Sequence, residues 1–190
     1  NSILVGAFFA MPDVRGAIFD NADLSNVDFQ GNTEGRDTPN TGYYYDIIRV
    51  DCDYDLSFKG ANLTNTNFET TIHGSQRGDS KLAFDNAILD NANFVVDLRW
   101  YEQISFDNAI LDNSNFVMTT NYAQVSMVNV SFIGTDISMH LSPGSDLSQS
   151  NMSEANFIDF MALDLVSCPL ALPENYNCAE IGGKKMIFGP

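Results

Sequence analysis

Three aspartates at alternate positions are the residues of this chain whose type and spacing come closest to a metal site. Asp51, Asp53 and Asp55 would lie on one side of an extended segment, and carboxylate oxygens are ligands that Ca²⁺ prefers. An EF-hand loop that starts at Asp51 would need Gly at its sixth position and Glu at its twelfth, where the chain has Leu56 and Asn62. The three aspartates are therefore a weak calcium candidate, and a solvated acidic edge is the alternative.

The two histidines do not add a metal or catalytic site. His73 and His140 are 67 positions apart, and neither has another candidate ligand at metal-binding spacing. Ser, Thr and Asp occur along the whole chain, so no Ser/His/Asp arrangement stands out from the composition. No glycine-rich phosphate loop is present. We expect no enzyme activity and no cofactor.

Two of the three cysteines could form a disulfide. Cys168 and Cys178 are ten positions apart, whereas Cys52 stands alone. A disulfide between the pair would stabilise the fold by about 2–3 kcal/mol. It would also indicate a periplasmic, lumenal or extracellular compartment. Two unrelated free thiols are the alternative.

The elements that must position these residues follow a five-residue repeat. The segments FDNAILDNANF (84–94) and FDNAILDNSNF (106–116) are near copies 22 residues apart. In each copy a large apolar residue, here called a centre, recurs every five residues, with a small residue two positions before it. A period of five fits neither an amphipathic helix nor a flat strand, but it suits a chain that turns a corner after each short extended segment. The centres form three ladders: Phe19, Phe58, Phe84, Phe106, Met127 and Leu147 on a first side; Leu4, Leu24, Leu63, Leu89, Leu111, Phe132 and Met152 on a second; Phe9, Phe29, Phe68, Phe94, Phe116, Ile137 and Phe157 on a third.

This pattern resembles that of the pentapeptide-repeat family, whose consensus is A(D/N)Lxx. The chain matches the consensus at 22–24, 61–63 and 155–157. The resemblance covers roughly residues 2–170 and implies an all-β fold, a right-handed quadrilateral parallel β-helix in which four pentapeptides make one coil. About seven coils would form a rod on the order of 35 Å long.

The predicted insertions all lie on the fourth side of this helix. Successive first-side centres, from Phe19 to Leu147, are 39, 26, 22, 21 and 20 residues apart, whereas an undecorated square coil needs 20. We therefore predict a β-helix over residues 1–165 with insertions at 30–56, 69–81 and 95–103, and a carboxyl-terminal capping segment over 166–190. Specific recognition favours large side chains on a non-repeating surface, although inserted aromatics also pin loops to a rod. The candidate binding residues are Tyr43, Tyr44, Tyr45, Asp51, Asp53, Asp55, Trp100 and Tyr101.

The carboxyl-terminal stretch carries a second resemblance. CPLALPENYNC (168–178), followed by a Gly-Pro ending, is similar to a CPxxLPxx(W/Y)xC segment found at the end of many exported bacterial pentapeptide-repeat proteins. This resemblance implies export. The chain begins at Asn1 and already carries the repeat at Leu4, so we expect either a mature chain or an expressed segment of one, with any signal peptide outside the given sequence.

Charge limits the classes of partner. A net charge of −16 with nine Lys and Arg argues against nucleic acid or an anionic membrane as the ligand, and no apolar run is long enough to span a bilayer.

We interpret the sequence as a non-enzymatic exported repeat module that acts as a rigid spacer or as a platform for a protein or glycan, within a larger assembly or alone. The alternatives are an acidic duplex mimic acting on a type II topoisomerase, as some members of the family are, and a glycan-active enzyme, which would need clustered carboxylates.

Overall fold

The structure is a computed structural model that describes residues 2–10, 18–30, 48–49, 56–73, 81–99, 103–120 and 123–189. Its regular elements are β-strands, and strands β1 to β12 pair in parallel and form a β-solenoid. The strands are β1 (Phe8–Ala10), β2 (Asp28–Gln30), β3 (Ile48–Arg49), β4 (Leu56–Ser57), β5 (Asn67–His73), β6 (Lys81–Ala83), β7 (Asn93–Arg99), β8 (Gln103–Ser105), β9 (Asn115–Thr120), β10 (Gln124–Ser126), β11 (Asp136–Leu141), β12 (Asn156–Leu165), β13 (Asn177–Ile181) and β14 (Lys184–Phe188).

The third-side centres confirm the predicted register. Seven parallel strands follow one another in the order β1-β2-β5-β7-β9-β11-β12. Phe94 pairs with Phe68 on one side and with Phe116 on the other, and the same centre-to-centre pairing runs from Phe9 to Phe157. The five-residue repeat therefore identified both the architecture and the alignment of neighbouring coils.

Phenylalanine rings fill the interior in two adjoining columns. On the first side the Phe58, Phe84 and Phe106 rings stack at 4.9 Å with interplanar angles of 2° and 5°. On the third side the Phe94 and Phe116 rings stack at 5.2 Å and 9°. The two columns meet edge to face, as between Phe84 and Phe94 at 5.3 Å and 88°. Both arrangements are favoured geometries for aromatic pairs, so the stacking of coils also fixes the packing of the core.

The corners explain the asparagines that recur two positions after the centres. At the corner after Leu89, the amide of Ala92 donates to the Leu89 carbonyl at 3.0 Å, and Asn91 between them has a φ of 56°. Positive φ at the third residue of a four-residue turn favours Gly or Asn. The same position has positive φ in eleven other corners of the first and second sides, at Gly6, Asn21, Asn26, Gly60, Asn65, Asn86, Asn108, Asn113, Asn129, Gly134 and Gln149. The corner after Met152 differs, because Glu154 there does not have positive φ.

The first side differs from the predicted pattern of a small residue two positions before each centre. That position holds Leu56, Leu82, Ile104 and Val125, which are all buried. They belong to a second parallel sheet, β4-β6-β8-β10, in which Leu82 pairs with Leu56 and Ile104. Because the chain enters this side as a strand and not through a tight corner, there is room for a large side chain. Leu56 is therefore a core residue and not part of the first insertion.

Small hydroxyl residues replace Ala at some inward positions without leaving a polar group unpaired. Thr66 donates to the Leu24 carbonyl at 3.0 Å, and Thr135 donates to the Leu111 carbonyl at 2.6 Å. Ser150 donates to the Met127 carbonyl and accepts from the Val130 amide. Since a buried hydroxyl is tolerated when it is hydrogen-bonded, these positions tie one coil to the previous one.

Residues 166–189 pack on the last coil. The amide of Met152 donates to the Ala171 carbonyl, which continues the second side by one bridge. The chain then forms the hairpin β13–β14, whose Gly182 and Gly183 both have positive φ, as a two-residue type I′ turn requires. Strand β14 pairs antiparallel with β12, and the Tyr176 ring meets the Phe157 ring at 4.7 Å.

The predicted disulfide is present. Cys168 and Cys178 are joined with an S–S distance of 2.02 Å and a Cα–Cα distance of 5.9 Å. The bond links the segment that leaves the last coil to strand β13. It therefore closes the loop that precedes the carboxyl-terminal hairpin.

In the part of the chain that the structure describes, no helix is long and apolar enough to cross a membrane.

Candidate functional site

The residues predicted to bind a partner lie outside the described part of the chain. This holds for the calcium candidate and for every aromatic of the insertions, and also for Cys52. Their proposed roles therefore remain predictions. The residues are Tyr43, Tyr44, Tyr45, Asp51, Asp53, Asp55, Trp100 and Tyr101.

The strands that lead into the second and third insertions extend further than the sequence indicated. Strand β5 runs to His73 and β7 runs to Arg99, beyond the predicted insertion starts at 69 and 95. Seven consecutive residues of β5 pair in register with β7, and six of β7 pair with β9. The fourth side is therefore closed by continuous strands, and Val96, Met118 and Met139 form its buried ladder.

Part of the largest insertion joins the same sheet. Strand β3 pairs in parallel with the end of β5, so that Ile48 lies opposite Ile72 and Arg49 opposite His73. His73 in turn pairs with Arg99 of β7. The backbone thus brings the first, second and third insertion-bearing segments together at one end of the sheet. In the sequence, Arg49 is two residues before Asp51, and Arg99 immediately precedes Trp100.

His140 is the histidine whose side chain is described, and it pairs with one carboxylate. Its Nε2 lies 2.9 Å from Asp159 Oδ1, and both side chains are exposed. Among the described residues, no group of three or more His, Cys, Asp and Glu side chains is arranged to hold a metal ion. A single exposed His–Asp pair is a surface contact, as the sequence predicted for this histidine.

The aspartates of the regular sides are structural. Asp107 Oδ1 accepts from the Ser126 hydroxyl at 2.6 Å and from the Val128 amide at 3.0 Å, both in the next coil. Asp112 makes the same pair of contacts, with the Ser131 hydroxyl at 2.6 Å and the Ile133 amide at 3.0 Å. The sequence signal for this bridge is Asp one position after a centre and Ser one position before the matching centre in the next coil. Sequence reasoning treated these residues as composition and missed the bridge.

A shallow cleft of about 260 Å³ lies on the first side. Lys59 Nζ at its wall is 3.3 Å from Asp85 Oδ2. The volume is below the range of about 300–1,000 Å³ typical of pockets that bury a small ligand. The cleft is lined by Leu56, Ser57, Lys59, Lys81, Leu82, Ala83, Asp85, Gln103 and Ser105. It is therefore a small surface cleft with a mixed polar and apolar lining.

Comparison with known proteins finds only solved structures of low identity and low structural similarity. No family model matches the sequence, and no curated protein matches it. Two solved structures of QnrB1, a plasmid-mediated fluoroquinolone resistance protein, are each 17% identical to this chain. Each match covers 82% of this chain, and the matches cover 79% and 76% of the QnrB1 chains. The TM-scores are 0.27 and 0.25.

HetL is a further similar structure, a pentapeptide repeat protein involved in heterocyst differentiation regulation from the cyanobacterium Nostoc sp. strain PCC 7120. It is 13% identical, covers 92% of this chain and 88% of its own, and gives a TM-score of 0.18. These values are too low to support an argument about function. The β-solenoid is established by the register of the chain's own hydrogen bonds.

Proposed function

We propose that this chain is a non-enzymatic, exported repeat module in which a rigid β-solenoid serves as a spacer and carries a binding platform on its insertion-bearing side. The observation that supports the platform is the continuous pairing of β5, β7 and β9. Strands β5 and β7 end at the paired residues His73 and Arg99, so the loops of the second and third insertions leave the sheet about 4.8 Å apart along the solenoid. A rigid base of this kind lowers the entropy that loops lose on binding.

The hydrogen bonding of the regular-side aspartates favours a binding role over an enzyme. The aspartates that come closest to a repeated carboxylate pair, Asp107 and Asp112, are held by serine hydroxyls and backbone amides. A catalytic carboxylate must instead face a substrate in a site that excludes water. The glycan-active alternative would therefore depend on the undescribed aspartates at 51, 53 and 55.

The insertion-bearing side is the best candidate for recognition because the other sides repeat the same short residues. Repeated Asn and Ser offer a partner little shape with which to select one coil over another. Large aromatic and charged side chains on a non-repeating surface supply that selectivity. We therefore assign the contacts to a protein or glycan ligand to Tyr43–Tyr45, Asp51, Asp53, Asp55 and the pair Trp100 and Tyr101.

Export is supported by the disulfide between Cys168 and Cys178. Disulfides persist in oxidising compartments and are rare where thioredoxin and glutathione keep thiols reduced. The disulfide also lies within the segment that is similar to the ending of exported pentapeptide-repeat proteins. A cell fractionation of the native source, with the disulfide state read by thiol labelling, would test this part of the proposal.

The platform is tested by replacing residues 31–55 with a four-residue turn. Gln30 and Leu56 are kept, because Gln30 pairs with Glu69 and Leu56 is buried. A control variant, Ile158→Ala, changes an exposed side chain of β12. Both proteins are compared with the full chain by thermal melting and by binding to a glycan array and to extracellular proteins of the source.

We expect the replacement to lose partner binding while melting within a few degrees of the full chain, and the control to keep both. Binding that survives the replacement together with a lower melting temperature would show that the insertion only packs against the rod. That result would remove the platform from this side.

A further inference from the structure

The second side carries an exposed apolar patch that the repeat does not require. Ile88 and Ile110 occupy the same position in adjacent coils and pair with each other, and each is 40% exposed. Ile133, in the next coil, is 39% exposed and stands in the neighbouring column together with Asp90 and Asp112. We call these five residues the second-side patch.

The fold accepts polar residues in the column of Ile88 and Ile110. The same position holds Asp23, Asn62, Ser131 and Asn151 in other coils. Those side chains make hydrogen bonds, such as Asn62 Nδ2 to Asp23 Oδ1 at 3.2 Å. Isoleucine makes no such bond, and the paired Ile88 and Ile110 present adjoining apolar surface that a partner can cover.

Fixed carboxylates flank the isoleucines. Asp112 is held through Oδ1 by Ser131 and by the Ile133 amide, and Asp90 accepts through Oδ1 from Asn113 Nδ2 at 3.2 Å. On the other flank, around the corner from the first side, Asp107 is held in the same way by Ser126. In each of these contacts the hydrogen bonds are accepted by Oδ1 of the aspartate. The arrangement is an apolar stripe beside the column of Asp90 and Asp112, with Asp107 on its other flank. Equivalent positions in neighbouring coils lie about 4.8 Å apart.

We propose that the second-side patch binds a cationic segment of a protein partner. Lys or Arg side chains of that segment pair with Asp90 and Asp112, while a neighbouring apolar side chain covers Ile88 and Ile110. Charge complementarity selects this occupant: a chain of net charge −16 repels nucleic acid and a second copy of itself, and attracts a basic segment. The site goes beyond the platform proposed above, because it lies on a different side and does not use the insertions.

The proposal is tested with a synthetic peptide of alternating Arg and Leu, blocked at both ends, whose binding is measured by calorimetry at low and at physiological salt. Two comparison peptides replace Arg by Glu or Leu by Ser. The variant I88N/I110N places in this column the residue found at positions 62 and 151, and D90S/D112S places the residue found at positions 25 and 153. The control D28N/D136N also removes two charges, in a third-side column that elsewhere carries Asn.

We expect the Arg-Leu peptide to bind the full chain, and I88N/I110N and D90S/D112S each to weaken it about tenfold or more. D28N/D136N should weaken it less than about twofold. Both comparison peptides should bind weakly. Thermal melting identifies any loss of fold, and I88N/I110N removes no described hydrogen bond, so it stays informative if D90S/D112S is destabilised.

Three outcomes would overturn the proposal. The first is no binding of the Arg-Leu peptide to the full chain. The second is an equal loss in D28N/D136N and D90S/D112S, which would mean that only net charge matters. The third is self-association of the full chain that I88N/I110N abolishes, which would make a second copy the occupant. Since the platform test changes residues 31–55 and this one changes the second side, either proposal can fail while the other stands.

Discussion

Removal of the Phe94 ring perturbs the centre of the interior ladder. Phe94 is fully buried, and its ring centroid lies 5.2 Å from that of Phe116 and 5.3 Å from those of Phe68 and Phe84. Truncation of a buried Phe to Ala costs about 3–5 kcal/mol, and less where the surroundings can collapse. Here the coils above and below are held apart by backbone hydrogen bonds, so the cavity cannot close. We expect Phe94→Ala to lower the free energy of unfolding by an amount in that range.

The assay is thermal unfolding followed by circular dichroism. For a domain of this size 1 kcal/mol corresponds to about 2–4 °C, so Phe94→Ala should lower the melting temperature by about 6–20 °C. Ile158→Ala is the matched control, because Ile158 is 63% exposed and its truncation should shift the melting temperature by less than about 2 °C. A loss below about 1 kcal/mol for Phe94→Ala would refute the ladder and the register built on it.

Three further predictions concern the corners, the disulfide and the carboxyl-terminal hairpin. Because Asn91 has a φ of 56°, Asn91→Ala should lower the free energy of unfolding in urea by about 1 kcal/mol, whereas Asn91→Gly should not. Reduction of the Cys168–Cys178 disulfide should lower it by about 2–3 kcal/mol, and the melting temperature of a double Cys→Ser variant should not respond to reductant. Deletion of residues 173–190 exposes the edge of β12 and should produce oligomers in size-exclusion chromatography with light scattering; a monomeric product would contradict a capping role.

The interior could be predicted from the sequence because the centres repeat at a fixed period. Residues such as Phe94 and Phe116 are recognised by their spacing alone, and parallel stacking then brings equivalent positions into register. The disulfide was also open to prediction, since Cys168 and Cys178 stand close together outside the repeat.

The fourth side could not be predicted by the five-residue period, because that period stops there. Strand β7 continues past Phe94, and Val96 is buried by the two-residue alternation of a strand. The same alternation buries Met118 after Phe116 and Met139 after Ile137. A search for period two immediately after each third-side centre would have found this ladder and moved the insertion starts to the strand ends.

The role of the polar residues was hidden for a different reason. Asp112 and Ser131 are 19 positions apart and are joined only when the coils stack, so no local pattern shows their contact. Whether such an aspartate can contact a partner likewise depends on the side of the solenoid on which it lies. Sequence composition could give the acidity of the chain, but not the placement of Asp90 and Asp112 beside exposed isoleucines.

Hydrogen–deuterium exchange of the full chain, alone and with its captured partner, tests most directly whether recognition occurs on the insertion-bearing side. The amides of the regular sides already bond between coils, as from Leu89 to the Ile110 carbonyl at 2.7 Å, and should exchange slowly in both states. We predict that the partner newly protects peptides covering residues 31–55 and 100–102. Protection confined to peptides of the first and third sides, with the insertions unchanged, would contradict the proposed platform.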